Sequence, residues 1–318
     1  MEKILYAIGE ALIDFIPEER GKALKEVCGF SPKVGGAPAN VCGAFTRLGG
    51  KSQIITQLGE DPFGDKIQDE LERFEIGTSH VLRTKEANTS LAFVALKEDG
   101  NREFSFYRKP GADMLLTKEK IKSEWFSDAY ALHFCSVSLG NFPMKQAHNK
   151  AIEAAAKAGA IISFDPNVRL ALWENPENLK KAVMEFLPLA DILKISDEEL
   201  YFLTGEKSVE DAKNKLFVGN VKLIIYTQGA EGAECYTKQS FAECAGKKVK
   251  AVDTTGAGDA FIGSFLYQLY VDGVNKCDLE ALPLDKMESY LQFSNRYCAK
   301  SVEKEGAIAS YPAMYEMK

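Results

Sequence analysis

The sequence lacks several features that would mark a simple class of protein. Its seven cysteines include no Cys-x-x-Cys pair and its three histidines are scattered, so neither a disulfide framework nor a zinc site is expected. No apolar run reaches the roughly 20 residues that a membrane-spanning helix needs. No signal peptide is visible either. These absences predict a reduced, cytoplasmic protein without a membrane partner.

Basic residues are also fewer than acidic residues. Asp and Glu together number 46 against 39 Lys and Arg, which gives a net charge of −7. No cluster of Lys and Arg alternates with aromatic residues, so a nucleic-acid partner is not expected. Hydrophobic residues make up 46% of the 318 residues, which is enough to form a large buried core. The expected partner is therefore a small molecule.

Short apolar runs alternate with amphipathic stretches along the chain. The runs typical of buried strands are 4–8, 54–58, 131–134, 161–164, 192–195 and 223–227. The stretches that predict helices are 38–48, 63–74, 144–158, 176–186 and 197–204, several of them followed by Gly. The alternation predicts an α/β fold in one domain spanning 1–318. We expect a mostly parallel sheet flanked by helices on both faces.

Two segments depart from this alternation. Residues 89–108 predict a hairpin with its turn at 99–101, and the lid segment that contains it spans 89–112. A second lid segment, residues 12–34, is extended and rich in loops. We expect these lid segments to form a small β-sheet inserted into the α/β domain. A sheet placed near the carboxyl ends of the parallel strands would cover a substrate and exclude water.

The most informative stretch is residues 253–261, a glycine turn that opens into an apolar run. If the run is a helix, the backbone N–H groups of Gly256, Ala257, Gly258 and Asp259 converge and bind an anion such as a phosphoryl group. The carboxylate of Asp259 would repel that anion, so it needs another reason to be present. One such reason would be that Asp259 acts as a general base on a hydroxyl group. Plain helix capping, which Asp also favours, is the alternative.

Two other nucleotide-binding motifs are not fulfilled. Residues 50–52 resemble the end of a P-loop, but Phe45 occupies the position of its first glycine. No strand carries a convincing Gly-x-Gly-x-x-Gly, which disfavours a dinucleotide-dependent dehydrogenase. The pair Gly35 and Gly36, followed by Pro38, instead predicts a tight turn into a helix.

The two glycine-rich segments together resemble the signatures of the ribokinase-like, or PfkB, family of carbohydrate kinases. GGAPANVCGAFTRLGG at 35–50 is similar to the N-terminal signature and DTTGAGDAFIGSF at 253–265 to the C-terminal one, in the expected order. The resemblance covers essentially the whole chain. It implies a ribokinase-like α/β fold with a β-sheet lid, and ATP with Mg²⁺ as phosphoryl donor. Residues 9–17 and 104–116 resemble fructokinases in particular, which implies transfer to the primary 6-hydroxyl of D-fructose.

The resemblance also implies a role for each matching residue. Asp259 would be the general base, and the N–H groups of Gly256, Ala257 and Gly258 would form the anion hole. The residues implied at the sugar are Asp14, Gly35, Gly36, Asn40, Phe106, Arg108 and Arg169. The residues implied at the nucleotide or its phosphates are Asn167, Lys194, Thr227, Gly229 and Asn295.

Cation sites and a partner subunit are implied in the same way. Glu199 matches the acid that binds Mg²⁺ through water, although Ser196 stands where the family often has Asn; Mg²⁺ itself is held largely by substrate phosphates. The residues that match a monovalent-cation site are Asp253, Thr255, Ser301, Gly306 and Ser310, so activation by K⁺ is a hypothesis. An apolar edge of the lid would pair with a second copy and give a homodimer.

Three alternatives remain open at this point. A 2-keto-3-deoxygluconate kinase would use Arg108 to pair with the carboxylate of its substrate. A ribokinase is the other alternative within the family. A sugar or nucleotide sensor without catalytic activity fits the same fold, but it would have little need for Asp259 beside an intact anion-hole turn.

Overall fold

A computed structural model describes residues 2–19, 21–96 and 102–317. The predicted hairpin turn at 99–101 lies outside the described residues. The β-strands of the described part are β1 Ile4–Ile8, β2 Leu12–Pro17, β3 Phe30–Gly35, β4 Lys51–Gly59, β5 Val81–Thr84, β6 Leu91–Leu96, β7 Arg102–Tyr107, β8 Ala129–Cys135, β9 Ile161–Asp165, β10 Ile192–Ser196, β11 Leu223–Thr227, β12 Gly232–Tyr236 and β13 Phe241–Ala245. The α-helices are α1 Ala37–Arg47, α2 Pro62–Arg73, α3 Pro143–Lys157, α4 Pro176–Phe186, α5 Asp197–Thr204, α6 Val209–Leu216, α7 Ala257–Val271 and α8 Leu284–Ser301.

The strands of the described residues form a large and a small sheet. The large sheet has the order β13-β12-β11-β10-β9-β8-β1-β4-β5, and only the pairings of β12 are antiparallel. The small sheet has the order β3-β2-β6-β7, in which two antiparallel pairs meet where β2 and β6 run parallel. The predicted α/β fold with a small additional sheet is confirmed.

Strand β1 shows why helices cover both faces of the large sheet. Leu5 and Ala7 pack into one core cluster together with residues of α1, α7 and α8. Tyr6 and Ile8 point to the opposite face and pack into a second cluster with residues of α3 to α6. Side chains alternate along a strand, so a run that is apolar at every position must be buried on both faces.

The predicted helices lie within a residue of their predicted ends, and local capping explains where several of them begin. Asp61 caps α2 by accepting hydrogen bonds from the N–H groups of Phe63 and Gly64. At the start of α5, Ser196 and Glu199 form a capping box. None of the described helices is both long and apolar enough to cross a bilayer.

The strand order places a crevice at the carboxyl ends of β1 and β8. From β1 the chain moves to β4 and β5 on one side, and it then returns to β8 on the other side and continues outward. At such a reversal the connections leave in opposite directions, and ligands of open α/β sheets bind there. Topology alone therefore locates the candidate site.

Close packing of α1 against α7 brings the two glycine-rich segments to this crevice. Gly263 of α7 lies so near α1 that an added Cβ would come within 2.6 Å of the Ala44 Cβ and 2.9 Å of the Val41 carbonyl oxygen. Separations this short are sterically forbidden, so only glycine lets the two helices approach at this point.

We expect Gly263→Ala to destabilise the protein by about 1–3 kcal/mol, because the methyl group must push α1 and α7 apart. Helix propensity alone would favour Ala by up to about 1 kcal/mol, so the sign of the change isolates the packing effect. Urea unfolding is the measurement. Val271→Ala, at a position 58% exposed at the end of the same helix, is the control and should change stability by less than about 0.5 kcal/mol. Equal stability of Gly263→Ala and the wild type would contradict the packing argument.

Candidate active site

A cavity of about 390 Å³ opens at the crevice. Its walls come from the loops after β1, β8 and β9, from the starts of α1 and α7, and from the small sheet. The lining residues are Glu10, Leu12, Asp14, Ile16, Gly36, Ala37, Asn40, Val94, Phe106, Val137, Asn167, Arg169, Leu172, Thr254, Thr255, Gly256 and Asp259. The structure thus gathers most of the predicted sugar-site residues around one space together with Asp259.

A hydrogen bond between α1 and α7 forms the centre of the site. Asn40 Nδ2 donates to Asp259 Oδ2 at 2.8 Å, and both side chains are buried. Asn167 Nδ2 lies 3.5 Å from the other carboxylate oxygen of Asp259. These amide donors orient the carboxylate without supplying a full positive charge, so Asp259 keeps its basicity while its direction is fixed.

The environment of Asp259 raises its pKa to about 6. Burial is the main cause because it disfavours the charged form, and the nearby Asp165 acts in the same direction. The hydrogen bond from Asn40 and the charges of Lys194 and Arg169 oppose this rise. The carboxylate is therefore mostly ionised at neutral pH and still basic enough to accept a proton, as a general base must be.

The start of α7 differs in one detail from the predicted anion hole. Gly256 precedes the helix in the left-handed conformation with φ 72°. The N–H of Ala257 donates to the carbonyl of Thr254 at 3.2 Å, so this donor is engaged within the turn itself. The N–H groups of Gly258 and Asp259 have no acceptor within the helix, because they belong to its first turn. The donors left without an acceptor in the helix thus lie further into α7 than the predicted anion hole.

Lys194 adds a full positive charge beside this turn. Its Nζ lies 2.9 Å from Asp165 Oδ2 in a buried ion pair, and a Cβ at Gly258 would be 3.0 Å from the same Nζ. Burial would lower the pKa of Lys194, but the charges of Asp165 and Glu199 outweigh burial and raise it. The ammonium group therefore stays charged next to the first turn of α7.

The loop after β9 carries the other predicted phosphate-site residues. Asn167 has a positive φ of 46°, and its N–H donates to Asp165 Oδ1 at 3.0 Å. This turn directs Asn167 to Asp259 and leaves Arg169 exposed at the cavity wall. Glu199 supports the loop, because its Oε1 accepts from the N–H of Val168 at 2.8 Å.

The role of Glu199 at a metal ion is constrained by these contacts. Its other oxygen, Oε2, accepts from the N–H of Ser196 at 2.9 Å. Each carboxylate oxygen thus already binds one backbone donor, and only further lone pairs are left for a water of Mg²⁺. In the described part of the chain, no group of three or more His, Cys, Asp or Glu side chains could hold a metal ion.

The glycine pair at the end of β3 shapes the side of the cavity next to Glu10 and Asp14. Gly36 has φ 109°, and a Cβ there would come within 2.5 Å of the Glu10 carbonyl oxygen. A Cβ at Gly35 would lie 2.1 Å from Asp14 Oδ2. The pair therefore lets the backbone before α1 pass close to Glu10, which follows β1, and to Asp14 of β2.

Arg108 is placed differently from what was predicted. Its side chain is 4% exposed and does not line the cavity; its guanidinium forms an ion pair with Asp113. It also donates to the Val137 carbonyl oxygen at 3.3 Å. Because buried Asp113 already balances its charge, Arg108 is part of the wall behind the cavity and is not presented to a ligand. The neighbouring Phe106 does line the cavity.

Of the residues predicted at the nucleotide, Lys194 lies in β10, and Thr227 and Gly229 lie at the carboxyl end of β11. Thr227 ends β11, and Gly229 follows it with φ 56° in an exposed turn. Asn295 of α8 donates from Nδ2 to the carbonyl oxygens of Cys244 at 2.9 Å and Ala245 at 3.3 Å, so it joins α8 to β13. Its amide nitrogen therefore stabilises the contact between α8 and β13.

The residues of the predicted K⁺ site are only partly brought together. Asp253 accepts from the N–H of Thr255 at 2.9 Å and from the N–H of Gly306 at 3.0 Å. The hydroxyl of Ser301 donates to the carbonyl of Cys298, and that of Ser310 to the carbonyl of Ala307. Asp253, Thr255 and Gly306 thus form one cluster, whereas the two serines bond within their own turns.

Sequence reasoning missed Glu10. This residue follows β1, is 3% exposed and lines the cavity. Burial raises its pKa to about 7. The sequence contains a signal for it. Glu10 comes two residues after the buried strand 4–8, and the carboxyl ends of parallel strands form the edge where ligands bind.

Comparisons with known proteins agree with this geometry. A model of the pfkB family of carbohydrate kinases matches residues 2–314. "Probable fructokinase-2" of Arabidopsis thaliana is 42% identical over 310 residues, which cover 97% of this chain and 93% of that protein. A fructokinase of Xylella fastidiosa with bound ATP superposes with a TM-score of 0.91 at 36% identity, covering 100% of this chain and 97% of the other. A fructokinase of Vibrio cholerae O395 with fructose, ADP and calcium gives a TM-score of 0.86 at 33% identity, covering 99% and 97%.

We expect Asp259→Asn to be more stable than the wild type by about 3 kcal/mol at pH 7.5, because a raised carboxyl pKa means that folding disfavours the ionised group. The pKa of Asp259 rises from its ordinary value of 3.8 to about 6, so the penalty is complete above pH 6 and is relieved as pH falls toward 4. Urea unfolding of both proteins at pH 7.5 and pH 4.5 measures the difference, which should shrink by more than half at the lower pH. A difference that is independent of pH would show that the charge of Asp259 is not its cause.

Proposed function

The chain belongs to the pfkB family of carbohydrate kinases, and we propose from this that it is an ATP-dependent fructokinase. The reaction is transfer of the γ-phosphoryl group of ATP to the primary 6-hydroxyl of D-fructose. The observation that carries the proposal is Asp259, oriented by Asn40 at the start of α7 inside the cavity. Relatives named fructokinases over nearly the whole chain support the choice of sugar.

In this proposal Asp259 removes the proton from the 6-hydroxyl as its oxygen attacks the γ-phosphorus. The bond between the γ-phosphorus and the bridging oxygen breaks, and ADP leaves with that oxygen. Asp259 suits this task because it is ionised at pH 7 and has a pKa of about 6. Asn40 fixes one carboxylate oxygen, which leaves the other side of the group to receive the proton.

The transferring phosphoryl group gains negative charge that the site must balance. The first-turn N–H groups of Gly258 and Asp259 supply partial positive charge, and Lys194 supplies a full one beside them. Gly256 and Ala257 form the turn that positions these donors. Asn167 lies next to Asp259 on the opposite side. Positioning and charge balance are the main contributions of a protein to phosphoryl transfer.

The sugar occupies the cavity between the large sheet and the lid. Asp14, Asn40 and the Gly35-Gly36 backbone accept or donate hydrogen bonds to its hydroxyls, and Phe106 covers it from β7. Arg169 reaches the same space from the loop after β9. Closure of the lid would exclude water that could otherwise compete as phosphoryl acceptor.

The charge of the cavity supports a neutral sugar over a sugar acid. Glu10, Asp14 and Asp259 line it, and the guanidinium of Arg169 is the cation among the lining side chains. A 2-keto-3-deoxygluconate kinase would need a cation for the substrate carboxylate. Arg108 is already paired with Asp113, so Arg169 alone would have to offset the three carboxyls that line the cavity. This difference favours fructose.

ATP would lie along the carboxyl edge of β10 and β11, with Thr227 and Gly229 at its phosphates and ribose. Asn295 contributes through the wall between α8 and β13. Mg²⁺ would be held by the phosphates and their waters, with Glu199 reached through water. K⁺ would bind at the cluster of Asp253, Thr255 and Gly306. Ser301 and Ser310 lie within five residues of Gly306 in the sequence.

The proposed assembly and location rest on surface chemistry. Tyr107 at the end of the lid strand β7 is 65% exposed, which supports pairing of two lids in a homodimer. All seven cysteines are free thiols, which supports a reducing compartment such as the cytoplasm.

We expect Asp259→Asn to lower kcat by roughly 10²-fold or more with little change in the Kd of fructose, because the amide cannot accept the hydroxyl proton. Steady-state kinetics and calorimetric sugar binding are the measurements. Asp14→Asn is the matched comparison: the same chemical change at a sugar-binding position should raise KM much more than it lowers kcat. Normal turnover with lost binding in Asp259→Asn would refute the assignment of the base.

Turnover on four acceptors tests the choice of sugar. We expect kcat/KM for fructose to exceed that for 2-keto-3-deoxygluconate, ribose and adenosine by roughly 10²-fold. The acidic cavity repels the carboxylate of 2-keto-3-deoxygluconate, and its size does not match ribose or adenosine. A preference for 2-keto-3-deoxygluconate would replace the substrate and leave the kinase assignment in place. Absence of phosphorylation on all four would contradict it.

A further inference from the structure

A buried polar network lies behind the cavity and does not belong to the proposed chemistry. Arg108 directly follows β7 and pairs with Asp113 through Nε at 2.9 Å and through a terminal guanidinium nitrogen. Asp113 also accepts a hydrogen bond from the hydroxyl of Ser90, which directly precedes β6. All three side chains are buried. Asp113 therefore joins the beginning of β6 to the end of β7, where these lid strands leave the main domain.

The network continues from Arg108 to the large sheet. Its guanidinium donates to the Val137 carbonyl oxygen at 3.3 Å and to Ser138 Oγ at 3.3 Å. Ser138 Oγ in turn donates to Glu10 Oε2 at 2.9 Å. Val137 and Ser138 follow β8, and Glu10 follows β1, so these residues flank the crevice. Glu10 and Val137 are themselves part of the cavity wall.

Among the described residues, the hydroxyl of Ser138 is the side chain that links the two halves of this network. On one side are the lid ends, held by the Arg108–Asp113 pair; on the other is Glu10. Buried polar groups rigidify a structure when each is satisfied, and a group that loses its partner is costly because water cannot replace it. The lid ends and the cavity wall are therefore not free to move independently while Ser138 is in place.

We propose that Ser138 and Glu10 are positioning residues, which act through Arg108 to hold the lid in register with the sugar cavity. Phe106, two residues before Arg108, contacts the cavity from the lid, and Asp14, four residues after Glu10, contacts it from β2. The network thus fixes the distance between the cover and the floor of the site without touching the reacting atoms. The kinetic part of this inference rests on the proposed function.

Replacement of Ser138 by Ala cuts the link between Arg108 and Glu10 and leaves the contacts of Arg108 with Asp113 and Val137 intact. We expect KM for fructose to rise about 10-fold, which corresponds to one buried hydrogen bond, while KM for ATP and kcat stay within about twofold. Hydrogen exchange of the backbone amides of 91–95 and 105–107 should also become faster in the protein without sugar, because the lid ends are less restrained.

Ser136→Ala is a closely matched control. Ser136 lies on the same short helical turn, Ser136–Ser138, and is also fully buried, but its hydroxyl has no hydrogen-bond partner in the described structure. It should leave KM and lid exchange unchanged. Ser138→Thr restores the hydroxyl and should recover most of the wild-type KM. If Ser138→Ala does not fold, Ser138→Cys provides the same comparison with a weaker donor of similar volume.

The outcomes separate this inference from the proposed function. Faster lid exchange in Ser138→Ala than in Ser136→Ala supports the network whatever sugar is used, since no substrate is present. Equal exchange in the two variants overturns it, even if fructose is phosphorylated. A fall in kcat together with a rise in KM for both substrates would also overturn it, because that pattern indicates general damage.

Discussion

The hydrogen bond between Asn40 and Asp259 is the contact on which the site depends. It joins the first turns of α1 and α7, two helices that Gly263 allows to pack closely. A neutral amide is well suited to this place. A cation would lower the pKa of Asp259 and weaken the base, whereas no partner at all would leave a buried carboxylate without an orientation. The hydrogen bond from Asn40 thus fixes the direction of the Asp259 carboxylate, and burial raises its pKa.

Buried charges around the cavity are arranged in pairs, except for two carboxyls that line it. Lys194 is balanced by Asp165, and Arg108 by Asp113, so both pairs act as fixed structural elements. Within the described ranges, Asp259 and Glu10 form no such ion pair, and burial therefore raises the pKa of each carboxyl. In a low-dielectric site an uncompensated carboxyl is unfavourable, which makes its presence informative about function.

Much of the fold followed from local patterns. Continuous apolar runs located six strands of the large sheet, β1, β4 and β8 to β11, and amphipathic spacing with caps such as Ser196 located α1 to α5. Both signals depend on neighbours within a few residues. The gathering of Asn40, Asp14 and Asp259 also agreed with the family signatures. The structure changed three details: the N–H of Ala257 is engaged, Arg108 is withdrawn from the cavity, and Asn295 bonds to β13. Each depends on a partner that pattern analysis does not consider.

The sequence by itself determined six strands of the large sheet and helices α1 to α5, and that a glycine turn with an adjacent acid begins α7. It did not determine β5, β12, β13 or α6. The properties that it determined depend on interactions between residues that are close together in the sequence. Only the tertiary structure decided that Asn40 and not a cation faces Asp259, that Asp113 neutralises Arg108, and that Glu10 reaches Ser138 from a distant strand. Charge balance and hydrogen bonding between residues far apart in sequence depend on distances in space, and the fold alone sets those distances.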